Sequence, residues 1–145
     1  MSTGTKTTKI VQDVKINVKL KLSALWIVLM FCYTYADILG FYAPGNLKEL
    51  MAGKIAGIQM TQGLLLSSAI LMAVPSAMIF LSLALKARAN RWVNMIAGLV
   101  YMGVLASTFL TGRNPAYYIL YATGKAVLIA LIVWHAYKWP RKQGT

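Results

Sequence analysis

Two charged residues, Asp37 and Lys125, stand inside otherwise apolar stretches of this chain. A charge in hydrocarbon is rare and costly, so each is a functional hypothesis by default. Asp37 lies about five residues from the end of its stretch, roughly 8 Å deep at the helical rise per residue. Lys125 lies about nine residues from the start of its own, roughly 14 Å deep. A four-carbon lysine stem spans that difference, so the two are expected to be neighbours. Helical spacing puts Trp26, Met30, Tyr33, Asp37 and Phe41 on one face, and Tyr118, Tyr121 and Lys125 on another. Asp37, Lys125, Tyr33, Tyr118 and Tyr121 therefore form the candidate intramembrane polar site, with Gln59 and Gln62 at its mouth. Two uses stay open for it. The pair either fixes helix register, or binds or moves an ion, a proton or a small ligand.

Other chemistry is thinly represented. No serine–histidine, cysteine–histidine or paired-carboxylate constellation is visible, so the chain is not expected to be an enzyme. His135, the single histidine, cannot supply both axial ligands of a haem, and it reads as an interfacial residue. Cys32, the single cysteine, provides neither a disulfide within the chain nor a metal cluster. No metal and no cofactor is expected.

The elements that position these residues follow from composition. Hydrophobic residues make up 59% of the 145 residues and charged ones 12%, against roughly 45–50% and about 25% in soluble domains. Part of the solvent must be lipid. The net charge of +12 does not point to nucleic acid, because the basic residues sit in the tails and between apolar blocks. Four apolar blocks run over 22–42, 63–85, 92–110 and 116–137, each near the length of about 20 residues that a spanning helix needs. None alternates as a barrel strand does. The expected fold is all-α, a bundle of four transmembrane helices (residues 22–139) between a basic tail (1–21) and a short tail (140–145). The first block is too long for a cleaved signal peptide and reads as an uncleaved helix.

Lysine and arginine counting sets the orientation. Eleven stand on one side, in the leader, the 86–91 connection and the tail, against Lys48, Lys54 and Arg113 on the other. Both termini are therefore expected in the cytoplasm, with anionic headgroups as the partner of the basic face. Trp26, Trp92, Trp134 and Trp139 are expected to anchor that interface. In the first outer loop, Asn46 and Glu49 resemble a capping box, Leu47, Leu50 and Met51 share a face, and Gly53 marks a stop. That is a short amphipathic helix on the membrane surface. The alternation from Val14 to Leu22 predicts an extended segment.

Small residues should bring the helices together: Ala69, Ala73 and Ala77; Ala122, Ala126 and Ala130; Ala36 with Gly40; Gly103 with Ser107. Pro75 should kink its helix by freeing the Leu71 carbonyl. A homo-oligomer is expected if the protein is a carrier or channel, because four helices enclose little space.

The runs Tyr35-Ala-Asp-Ile-Leu-Gly40, Asn90-Arg-Trp-Val-Asn-Met-Ile-Ala-Gly98 and Leu131-Ile-Val-Trp-His-Ala-Tyr-Lys-Trp139 resemble a bacterial family of four-helix membrane proteins known as a domain of unknown function. In layout the chain is also loosely similar to DoxX-like proteins. The resemblance covers about residues 20–140. It implies the four-helix fold and a bacterial inner membrane, and it carries no activity and no site residues. Two functional expectations stand: a non-enzymatic scaffold or accessory bundle, or a small carrier or channel built on Asp37 and Lys125.

Overall fold

A computed structural model of the chain describes residues 15–111 and 115–139. Five helices and one small hairpin occur in the order α1 (Val18–Tyr42), α2 (Asn46–Met51), β1 (Lys54–Ile55), β2 (Ile58–Gln59), α3 (Gln62–Ala84), α4 (Ala87–Thr111) and α5 (Ala116–Tyr137). The fold is an all-α bundle, and α1, α3, α4 and α5 are each long and apolar enough to cross a membrane. Residues 1–14, 112–114 and 140–145, and with them most of the basic leader, Arg113 and the C-terminal tail, lie outside the described residues.

Helix boundaries follow local chemistry. The Asn17 side chain accepts from the Lys19 backbone N–H at 3.0 Å and caps α1, satisfying one of the donors every helix start leaves open. The helix thus begins at Val18, and the extended segment expected over 14–22 is helical from residue 18 onward. Capping together with lipid burial outweighs the β-branched alternation there. At the other end Pro44 holds Ala43 extended (ψ 138°), and α1 stops. Thr61 caps α3 by accepting from Leu64 N–H at 3.2 Å.

The connection expected at 86–91 is shorter than its charges suggest. Leu85 is extended and α4 starts at Ala87, so Asn90 and Arg91 belong to the first turns of the helix.

The connection between α1 and α3 holds the expected short helix and more besides. Its N-cap is Gly45, at φ 87°, and the capping box of Asn46 with Glu49 does not form. Asn46 turns back and donates to the Gly40 carbonyl at 2.9 Å, while Glu49 accepts from Gly57 N–H at 3.2 Å. Gly53 does end the helix region, at φ 70°. The β1–β2 hairpin then reverses at Ala56-Gly57, both in the left-handed region at φ 48° and 78°, as two-residue hairpin turns require.

The four long helices form a ring in which α1 lies against α3 and α5, α5 against α4, and α4 more lightly against α3. Helices α1 and α4 are diagonal, and aromatic side chains fill the distance between them. Trp26 meets Tyr101 edge-on at 5.9 Å, and Tyr33 meets Tyr101 edge-on at 6.2 Å. Leu22, Leu29, Met78, Ile129 and Ile132 complete the core.

Close helix approach occurs where small-residue spacing only partly indicated. A Cβ on Gly98 would fall 2.6 Å from the Val133 Cγ2, so α4 and α5 meet at that glycine. Ala36 and Ala122 are buried as expected. The other small-residue positions behave differently: Ala69, Ala73 and Ala77 all lie on the exposed face of α3, and Gly103 and Ser107 are exposed on α4. Four-residue spacing establishes a face but not the direction it points.

Candidate functional site

The polar interior divides into two regions, one at each end of the bundle. At the end bearing the 86–91 connection, Asn90 and Asn94 sit one turn apart on the buried face of α4. Asn94 donates to the Asn90 carbonyl at 2.9 Å and to its Oδ1 at 2.6 Å. The Asn94 Oδ1 accepts from Trp26 Nε1 at 2.7 Å and from Ser82 Oγ at 3.3 Å, and Asn90 donates to the Ser82 carbonyl at 2.5 Å. Three helices are joined through two amides. Trp26 is fully enclosed and is therefore a core donor, in contrast to the interfacial anchor expected of it. Trp92 and Trp134 are exposed as an anchor would be.

Two further bonds tie α1 to α3 at this end: Ser23 Oγ donates to the Ile79 carbonyl at 2.9 Å, and Lys19 Nζ to the Leu83 carbonyl at 3.0 Å. Deeper in the bundle, Pro75 has no N–H for the Leu71 carbonyl, and the Tyr101 hydroxyl donates to that carbonyl instead. A freed carbonyl in a spanning helix needs such a partner from a neighbouring helix.

The second region lies toward the hairpin end and contains three of the five predicted site residues. Lys125 is 3% exposed. Its ammonium stands 4.4 Å from the centroid of the Tyr33 ring and 5.1 Å from that of Tyr118. Both are cation–π distances. The Tyr118 hydroxyl donates to Thr108 Oγ1 at 3.1 Å, and Thr108 donates to the Leu105 carbonyl at 3.0 Å, so that ring is held by α4. The Tyr33 hydroxyl is buried without a hydrogen-bond partner among the described residues.

The expected ion pair is not formed. Asp37 is exposed on the helix surface, and among the described residues no carboxylate comes within 4.0 Å of the Lys125 ammonium. The geometric reason is one of phase. Ala36 takes the buried position on α1 and Tyr33 the one before it, so the neighbouring Asp37 is rotated off the interior. Tyr121 is half-buried, and Gln59 and Gln62 are exposed. His135 lies on α5 far along from Lys125, its Nδ1 2.8 Å from the Leu131 carbonyl within its own helix.

Magnitudes indicate how Lys125 is tolerated. A lysine at mid-membrane costs about 2.5–3.5 kcal/mol on insertion scales. A desolvated cation–π contact contributes on the order of 0.5–2 kcal/mol, so two rings offset much of that cost without a carboxylate. The asparagine pair and Thr108 are neutral polar groups, which stand out less in the sequence than a charge does. The signal available for Asn90 and Asn94 was their four-residue spacing in an apolar helix.

Fold and site together define a class: a four-helix bundle of membrane-spanning proportions, with an amide cluster at one end and a lysine enclosed by tyrosine rings toward the other. Among protein families, residues 9–145 match a family of unknown function (DUF6326), and the chain belongs to that family. No curated protein and no solved structure matches it significantly. The family match does not extend to the looser DoxX-like layout.

Proposed function

We propose that this protein is a multi-pass protein of a bacterial inner membrane, with both termini cytoplasmic, that acts as a non-enzymatic scaffold or accessory bundle. The observation that carries the reading is the amide cluster linking α1, α3 and α4 through Trp26, Ser82, Asn90 and Asn94. Polar bonds between helices hold a bundle in one arrangement, which suits a part that presents fixed surfaces. The orientation rests on the eleven-to-three distribution of basic residues. The exposed Ala69, Ala73 and Ala77 face of α3 supports association with a second copy, since small residues permit close helix approach in lipid.

One specific observation favours a second reading, a small carrier or channel. Among the described residues Lys125 is buried without a carboxylate partner, beside a Tyr33 hydroxyl that is likewise unpartnered, and such a charge in a membrane marks ion and proton paths. Reconstitution into vesicles separates the two. The scaffold reading expects proton and chloride flux no greater than in protein-free vesicles. Flux that disappears in Lys125→Met would move the assignment to a carrier.

A further inference from the structure

We propose that the groove between α4 and α5 at the basic end is a binding site for one anionic phospholipid. The groove has a volume of about 380 Å³ and an apolar lining that includes Gly98, Ala130 and Val133, with Trp134 and Tyr137 toward the C-terminal end of α5. That volume falls within the range of about 300–1,000 Å³ of ligand clefts. Gly98 lets α5 approach closely, and Ala130 presents only a small, exposed side chain.

Two cations stand over the two aromatic residues at the end of the groove. The Arg91 guanidinium lies 5.7 Å from the Tyr137 ring centroid, and the Lys138 ammonium lies 4.1 Å from that of Trp134. The Arg91 Nε is buried without a hydrogen-bond partner among the described residues. An apolar channel leading to two cations, one with an unused donor, matches an acyl chain leading to a phosphate. Basic pockets between spanning helices bind anionic headgroups in this way. A phosphate oxygen would accept from Arg91, with Lys138 as a second, point-like charge. A second copy of this chain fits less well, because it would bring the same cations to the same rim.

Native mass spectrometry of the purified chain with dioleoyl phosphatidylglycerol or dioleoyl phosphatidylcholine tests the site. One phosphatidylglycerol should be retained in preference to phosphatidylcholine. The double substitution Arg91→Gln, Lys138→Gln should lower that preference roughly 30-fold, the effect of two basic residues at an anionic surface. Ala130→Leu, on an exposed position of α5, should abolish retention of either lipid while leaving the charges in place. Circular dichroism and lipid-free melting establish that each variant is folded; should the double variant not fold, Lys138→Gln alone should lower the preference by about fivefold. Equal retention of both lipids by the unaltered protein would overturn the proposal, as would a preference that survives the charge substitutions. Glycerol phosphate displacing phosphatidylglycerol at equal concentration would also overturn it, because the groove would then contribute nothing.

Discussion

The two polar regions of this bundle solve the same problem in opposite ways. At the basic end, neutral amides are fully enclosed and hydrogen-bonded: Asn94 alone makes four side-chain bonds, to Trp26, Ser82 and twice to Asn90. Toward the hairpin end, a full charge is enclosed by ring faces, and the tyrosine hydroxyl beside it has no partner among the described residues. Fully satisfied buried networks rigidify a core, whereas an unpaired buried polar group is costly and needs a reason to be kept. A buried polar group is therefore not one kind of evidence. Its meaning depends on how many of its bonds are made, and by that measure the asparagines are architecture and Lys125 is the candidate for function.

The largest expected effect comes from breaking the completed network. Asn94→Leu leaves the Trp26 N–H, the Ser82 hydroxyl and the Asn90 amide oxygen without their partner. It should destabilise the bundle by about 2–4 kcal/mol, from more than one stranded buried group at roughly 1–3 kcal/mol each. Thermal melting in a fixed detergent reads this directly. A melting point unchanged from the parent protein would show that the amides find other partners and that the end is not locked.

A smaller loss is expected from Gly98→Ala, which tests packing without touching a polar group. The added Cβ meets Val133 at 2.6 Å, and overpacking of this kind costs about 1–3 kcal/mol. If Gly98→Ala melts like the parent, α4 and α5 are further apart than described.

The smallest change should follow substitution at the incomplete region. Lys125→Met removes a costly charge together with its two ring contacts, terms that nearly cancel, so stability should move by less than about 1 kcal/mol in either direction. Asp37→Asn should be similarly mild. The double variant should equal the sum of the singles to within about 1 kcal/mol, because no ion pair within 4.0 Å joins the two side chains. A coupling of 2 kcal/mol or more would mean that the pair closes in the membrane, and the comparison between the two regions would then fail.

Part of the site is legible in the sequence. Tyr118 and Lys125 share a face by helical phase, and a charge in an apolar block is a large and local signal; Tyr33 joins them through an expected Asp37–Lys125 pair that does not form, although its ring does meet the lysine. Asp37 was misplaced by about one residue of phase, which is all that separates the interior from the surface on a helix. The hairpin at Ala56-Gly57 went unread because two-residue strands have no periodicity to detect.

The sequence by itself determined the number of spanning helices and the all-α class, since both depend on the energy of short windows in lipid. Only the tertiary structure decided which faces meet. Trp26 and Asn94 are 68 residues apart, and nothing local to either distinguishes a core donor from an interfacial anchor. The alanines of α3 and those of α5 share one spacing, yet Ala122 is buried and Ala73 is exposed. In lipid both faces of a helix are apolar, so hydropathy does not point inward. Direction is decided by the few polar bonds and close approaches, Asn94 to Trp26, Tyr101 to Leu71 and Gly98 to Val133, that form only once the helices are side by side.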